Sequence, residues 1–303
     1  MGNRKITIYI ALGFIVSSLI LALYFFVRKP DKISHRPEAK EKQVIVFKDV
    51  TYSGEKKGVV DWEIKAKVAR KYIDKPLIEL ENLSGQYKPQ EGTLVTFAGT
   101  KGAMDTEKES GSVENVSVLY KGEYTLTSSY MNFDFKNGTT FTKAPVHITG
   151  NKLTMQGIGL TANTKQETVR LETDVSGIVT TEKARYKFQT DVLTYHFKDN
   201  LYVLEGKVIL RGEDLNLLAD RLLIFTAGKD LDRIEAYGNV RVLSKGTVAK
   251  SEKAVYHFKQ GKIVFTNSPR VTKDNVEMEG ESVVYTTGEG KISVNKPRVR
   301  VTN

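Results

Sequence analysis

The stretch Ile234-Glu235-Ala236-Tyr237-Gly238-Asn239-Val240-Arg241-Val242 decides the fold. Ile234, Ala236, Val240 and Val242 fall on one face, and Glu235, Asn239 and Arg241 fall on the other. That is the period-two alternation of a strand with one side in a core and one in water. Tyr202, Leu204, Val208 and Leu210 alternate in the same way with Glu205, Lys207 and Arg211. Val169, Leu171, Val175 and Val179 make a third case. From Val44 onward no amphipathic helix stands out. Short runs of Val, Thr, Tyr, Phe and Ile are broken by Gly, Asn, Asp and Lys, which is strand-and-turn chemistry.

These strands recur. Apolar residues that follow a turn-like Gly, Pro or Asn line up at Leu83, Val116, Val146, Val179, Val208, Val240, Val271 and Val299, about 30 residues apart. A second strand class ending in an aromatic, with Tyr195, Phe225, Tyr256 and Tyr285, keeps the same phase. Each unit of about 30 residues therefore supplies two strands. A strand-bearing period in this range marks an architecture whose stacked units bury one continuous core. A non-repeating β-sandwich with evenly spaced strands is the alternative. The last unit, Pro297-Arg298-Val299-Arg300-Val301, reads as an open edge strand, a surface that other strands readily join.

The N-terminus bears on the compartment. Ile6 to Val27 carries no charge, with Arg4 and Lys5 before it and Arg28, Lys29, Lys32 and Arg36 after it. At about 1.5 Å per residue such a helix crosses a bilayer core of about 30 Å. A buried core helix and a cleaved signal peptide are the rivals. The run is longer than a signal-peptide core, and Leu23-Tyr24-Phe25-Phe26 lacks a small-x-small cleavage site. We expect one uncleaved anchor at residues 1–28 and a polar linker at 29–43. Flanking charge alone would favour keeping the body inside the cell. A very short N-terminal tail is nonetheless easily retained in the cytoplasm, and we expect the body to lie outside.

Composition narrows the chemistry. There are no cysteines, which excludes disulfides, thiolate metal sites and cysteine nucleophiles. Only 4 histidines are present. His196 and His257 repeat within Tyr-His-Phe, as expected of a copied outward position, and His147 and His35 stand alone. Ser128-Ser129 has no histidine or aspartate partner at a recognisable spacing, and Gly157-Ile158-Gly159 lacks the further glycine of a dinucleotide loop. No nucleophile, acid–base pair or metal cluster emerges, so an enzyme is not expected, and neither is a cofactor. The net charge of +10 suits anionic partners. The basic residues are dispersed among acids, and with a membrane anchor this argues against nucleic acid. What remains is an anchored β body whose apolar face is either a slot for acyl chains or a closed core. The residues alone leave both open.

A family resemblance adds to this. Residues 1–178 resemble LptC, on the N-terminal span, Trp62-Glu63-Ile64-Lys65-Ala66, Leu126-Thr127-Ser128, Ala144-Pro145-Val146 and Gly157-Ile158-Gly159-Leu160. Residues 180–303 resemble the LptA/OstA repeat, on Ala219-Asp220-Arg221-Leu222, Ala236-Tyr237-Gly238-Asn239-Val240, Ala254-Val255-Tyr256 and Ser268-Pro269-Arg270-Val271. LptC-like chains usually end near the first domain, so the sequence looks like a natural fusion. The resemblance implies an elongated β-jellyroll of open, V-shaped antiparallel sheets, with an LptC-like part at 44–178 and an LptA/OstA-like part at 179–303. It implies a non-enzymatic carrier of lipopolysaccharide across the periplasm. It further implies docking of residues 44–65 on an LptB/LptF/LptG ABC transporter at the inner membrane, and of residues 290–303 on LptA or another jellyroll. An anchored envelope scaffold without lipid cargo is the alternative.

Strand phase, independent of the family, nominates a lipid-binding groove. Its candidates are Phe47, Trp62, Ile64, Val116, Val118, Phe133, Val146, Ile148, Leu171 and Tyr195 in the first part of the chain. Val208, Leu210, Leu223, Phe225, Val240, Val242, Tyr256, Phe258, Phe265 and Val271 follow in the second. A slip of one residue would turn any of these strands inside out. Trp62, the single tryptophan, would report lipid entry by its fluorescence if it lines the groove.

Overall fold

The computed structural model describes residues 43–56, 59–88, 94–134, 136–181, 185–213, 215–227 and 230–301. The expected anchor and linker lie outside the described residues. No helix among the described residues is long and apolar enough to cross a membrane.

The described chain is all β apart from one 3-10 turn at Phe258–Gln260. It runs β1 (Val44–Lys56), β2 (Val59–Tyr72), β3 (Leu77–Tyr87), β4 (Val95–Asp105), β5 (Ser110–Tyr120), β6 (Tyr124–Asp134), β7 (Thr139–Thr149), β8 (Leu153–Asn163) and β9 (Thr168–Thr180). Then come β10 (Arg185–Thr190), β11 (Val192–His196), β12 (Leu201–Arg211), β13 (Asn216–Ala227), β14 (Asp230–Ser244) and β15 (Thr247–His257). The last are β16 (Lys262–Thr266), β17 (Arg270–Lys273), β18 (Val276–Glu279), β19 (Ser282–Thr286), β20 (Lys291–Asn295) and β21 (Arg298–Val301). All 21 strands belong to one sheet, and every pairing in it is antiparallel. β10 with β11, β16 with β17, β18 with β19, and β20 with β21 each act as one strand broken near its middle. β9, for example, pairs with both β10 and β11. The sheet is thus continuous through residues 178 and 179. It is a jellyroll-like meander with short local connections, as the two-strand period predicts.

The strands bend near their middles. Residues with left-handed backbone sit there: Asp49, Asn82, Asn115, Asp174, Lys207 and Asn239, with Gly159, Gly206 and Gly238. Asn and Asp tolerate this conformation better than other side chains, and Gly adopts it freely. Between β7 and β15 the register also slips at these points, as at Tyr237/Val240 against Lys253/Ser251. Such bulges kink a sheet and raise its twist. Each strand is therefore divided into two arms whose apolar sides meet. Phe97 of one arm stands 6.4 Å from Phe133 of the other, ring centre to ring centre.

Hydrogen-bond register joins the inner residues into rows that run from strand to strand. In the first arm the row passes from Tyr52 through Ile64, Gly85, Phe97, Val118, Leu126, Ile148, Met155 and Gly177. It continues through Phe188, Leu210, Leu217, Val242, Ala249, Val271, Met278 and Val299. In the second arm a row links Thr142, Leu160, Leu171, Leu193, Leu204, Leu222, Ala236, Ala254, Phe265 and Val283. Each Val, Leu or Phe so buried contributes about 1.5–3 kcal/mol relative to exposure. Most of the core forms one cluster from Val146 to Tyr285. A smaller cluster of Ala66, Leu83, Val113, Val116 and Met131 serves the first strands.

Candidate functional site

The interior between the arms gathers most of the nominated residues. Val116, Val146, Ile148, Leu171, Val208, Leu210, Val240, Val242, Phe265 and Val271 are all buried on the inner face. Val118, Phe133, Tyr256 and Phe258 are half-buried and pack against the two clusters. Ile64 and Tyr195 are half-buried in inner rows. Phe47 pairs with the buried Ala69 and so shares the inner face. It is 44% exposed, and among the described residues β1 pairs with β2 alone. The Trp62 side chain lies outside the described residues.

Leu223 and Phe225 stand apart. In β13 the inner residues are Leu217 and Ala219, then Leu222 and Ile224, because the register slips between Leu218 and Arg221. The slip turns Leu223 and Phe225 to the opposite face, where the Arg233 guanidinium lies 3.6 Å from the centre of the Phe225 ring.

Burial changes along the interior. In the first-arm row, Ile64, Phe97, Val118 and Leu126 are half-buried. From Phe188 through Leu210, Leu217, Val242, Ala249 and Val271 every residue is buried. An aromatic group marks the transition. Tyr120, at the end of β5, meets Phe197, just beyond β11, edge to face at 5.8 Å. Phe197 also packs on Tyr195 at 4.6 Å, and Tyr195 stacks on Tyr202 at 4.3 Å. Burial pushes the Tyr195 hydroxyl above its ordinary titration range and the Tyr202 hydroxyl well above it. Strand phase placed Tyr202 on an apolar face and named Tyr195 among the groove candidates. Tyr120 and Phe197 sit at strand ends, where alternation gives no signal.

The outer face is polar. Arg233 donates to Glu235 at 2.7 Å, Tyr237 donates to the same carboxylate, and Asn239 donates to Asp220 at 2.8 Å. Burial by itself would raise the Glu235 carboxyl, but the bonds from Tyr237 and Arg233 outweigh it and hold it below the usual carboxylate range. Arg70 likewise meets Glu81 across strands. Such half-exposed pairs contribute little individually. A shallow hollow of about 480 Å³ lies beside Phe141, Lys143 and Ile158 near the β7–β8 bulge. Among the described residues no three His, Asp or Glu side chains gather in a metal-holding group. The chemistry on offer is a long apolar interior with free sheet edges at either end.

Comparison with known proteins agrees in kind. The family model described as lipopolysaccharide-assembly, LptC-related, matches residues 9–182. The model described as LptA/(LptD N-terminal domain) LPS transport protein matches residues 187–291. No curated protein matches the chain. Among solved structures, the crystal structure of LptH, the LptA homologous periplasmic component of the conserved lipopolysaccharide transport device from Pseudomonas aeruginosa, is similar at 18% identity. The match covers 39% of this chain and 94% of that one, with a TM-score of 0.36. The first of these matches spans more than half of the sequence, and the chain belongs to the LptC-related lipopolysaccharide-assembly family, with an LptA-like segment following in the same polypeptide.

Proposed function

We propose that this chain carries lipopolysaccharide across the periplasm, its acyl chains held between the two arms, and that it links an inner-membrane LptB/LptF/LptG transporter to the next bridge component. The observation that carries this reading is the continuous row from Tyr52 to Val299, one residue from each strand of the first arm and with mostly apolar side chains. An acyl chain gains about 0.8 kcal/mol for each CH2 removed from water, at any point along such a row. The cargo can then advance without a large change in free energy. Transport energy comes from the ABC transporter, and the bridge itself hydrolyses nothing.

The two sheet edges support the partner assignments. Ile45, Val46 and Phe47 on β1 are 44–54% exposed, and Val299 and Val301 on β21 are 56% and 70% exposed. Free edges of this kind bind by strand addition. In our reading β1 meets the transporter's periplasmic side and β20–β21 receive LptA or another jellyroll. An N-terminal inner-membrane anchor keeps the bridge at high local concentration beside the transporter.

A sealed envelope scaffold is the second reading, favoured by the complete burial from Phe188 to Val271. Neighbouring probes separate the two. With a photoreactive amino acid at Val118, which faces inward, or at Leu119, which is 38% exposed on the outside, cells making lipopolysaccharide should give an adduct at 118 and none at 119. Adducts at neither position favour the scaffold.

A further inference from the structure

We propose that Tyr120, Tyr195 and Phe197 form an aromatic gate between the tips of the two arms, closed when the protein is empty and parted as lipid moves from the first strands toward the last. The inference rests on the transport reading and adds where passage is controlled.

Three observations place the gate. Tyr120 ends β5 in one arm, and Phe197 leaves β11 in the other, so their contact at 5.8 Å joins the arms rather than two neighbouring strands. Phe197 and Tyr202 hold Tyr195 on either side, so the second-arm half of the group is a packed unit. Burial along the first-arm row rises from half-buried at Ile64 and Phe97 to complete from Phe188 through Val271. The aromatic group therefore stands where a partly open interior becomes a filled one. Tyr120 belongs to the segment that the LptC-related model matches, and Tyr195 and Phe197 to the segment that the LptA-like model matches.

The physical chemistry suits a gate. An edge-to-face aromatic pair is worth about 0.5–1.5 kcal/mol beyond its buried area, strong enough to close and weak enough for acyl chains to displace. Lys121, 5.4 Å from the centre of the Tyr120 ring, adds a cation at the same rim, where an anionic headgroup would lie. Once the rings part, the same apolar surfaces are free to line the passage.

The absence of cysteine in the natural sequence makes the test clean. Tyr120→Cys/Phe197→Cys in the full chain can be locked with a short bis-methanethiosulfonate crosslinker, which forms a reducible disulfide with each cysteine and releases methanesulfinate. Photoreactive probes replace Phe97, ahead of the gate, or Tyr256, behind it. The chain is reconstituted with its transporter, ATP and purified lipopolysaccharide. Locking should leave the adduct at position 97 unchanged and cut the adduct at 256 at least fivefold, with recovery after reduction. Because the reduced sample is the same molecule, a folding defect cannot imitate this result. Equal adducts at 256 in locked and reduced protein would overturn the gate. No adduct at either position in the otherwise natural chain would overturn the transport reading itself, and the gate with it.

Discussion

The Ser244 hydroxyl lies 3.2 Å from the Tyr285 hydroxyl, both buried, 41 residues apart in sequence. Ser244 ends β14 in one arm and Tyr285 belongs to β19 in the other, so this polar contact closes the interior from side to side. A buried hydroxyl that loses its partner costs about 1–3 kcal/mol, whereas removing both is nearly neutral. We expect Tyr285→Phe and Ser244→Ala each to lower unfolding free energy by about 1 kcal/mol. The double variant should lose less than the sum. Urea unfolding of the four proteins measures that coupling.

Inner and outer faces should respond oppositely to charge. Val240 is 1% exposed and Leu218 is 42% exposed on the other side of the sheet. Val240→Arg places an unpaired charge in the core and should cost about 4 kcal/mol or more, while Leu218→Arg should stay within about 0.5 kcal/mol. Thermal or urea unfolding compares them directly.

The mid-strand bends depend on particular glycines. Gly238 has φ +71, and an added Cβ would stand 2.4 Å from the Asp220 carboxylate that accepts from Asn239. Gly246 has φ +74 in the tight turn after β14, with nothing near the same position. Gly246→Ala should therefore cost only the left-handed backbone penalty of about 1–2 kcal/mol. Gly238→Ala should cost about 1 kcal/mol more, because Asp220 must move and its hydrogen bond is lost. In an Asp220→Ala background that difference should disappear.

Acid should weaken the outer ladder through Glu235. Its carboxyl titrates below the ordinary value of 4.5 in the folded chain because Tyr237 and Arg233 outweigh the effect of burial. The folded state thus binds its proton less readily than the unfolded state. The stabilisation is complete above the unfolded value and is lost as pH falls through the folded one. Stability measured from pH 6 downward should fall less steeply below about pH 4.5 in Glu235→Gln than in the natural chain.

Much of this arrangement was legible in the sequence, for reasons visible strand by strand. β12 and β14 read most clearly because each carries the extra bulge residue that keeps its inner positions in step. In β14 Ile234, Ala236, Val240 and Val242 are all buried. Their partner β13 takes the slip instead, moving from Leu217 and Ala219 to Leu222 and Ile224, which is why simple alternation misplaces Leu223 and Phe225. The family resemblance was carried by short motifs at these same bends, such as Tyr237-Gly238-Asn239-Val240. Cross-arm partners such as Tyr120 with Phe197 were invisible because they depend on how the bent sheet folds over, not on local pattern.

The central claim is that the interior carries lipid, and native mass spectrometry of the full chain purified from a lipopolysaccharide-making host tests it most directly. The account predicts lipopolysaccharide bound in stoichiometric amount, displaced when a charge enters the inner row at Val118→Arg and retained in Leu119→Arg. A lipid-free protein that also takes up no added lipopolysaccharide would contradict it.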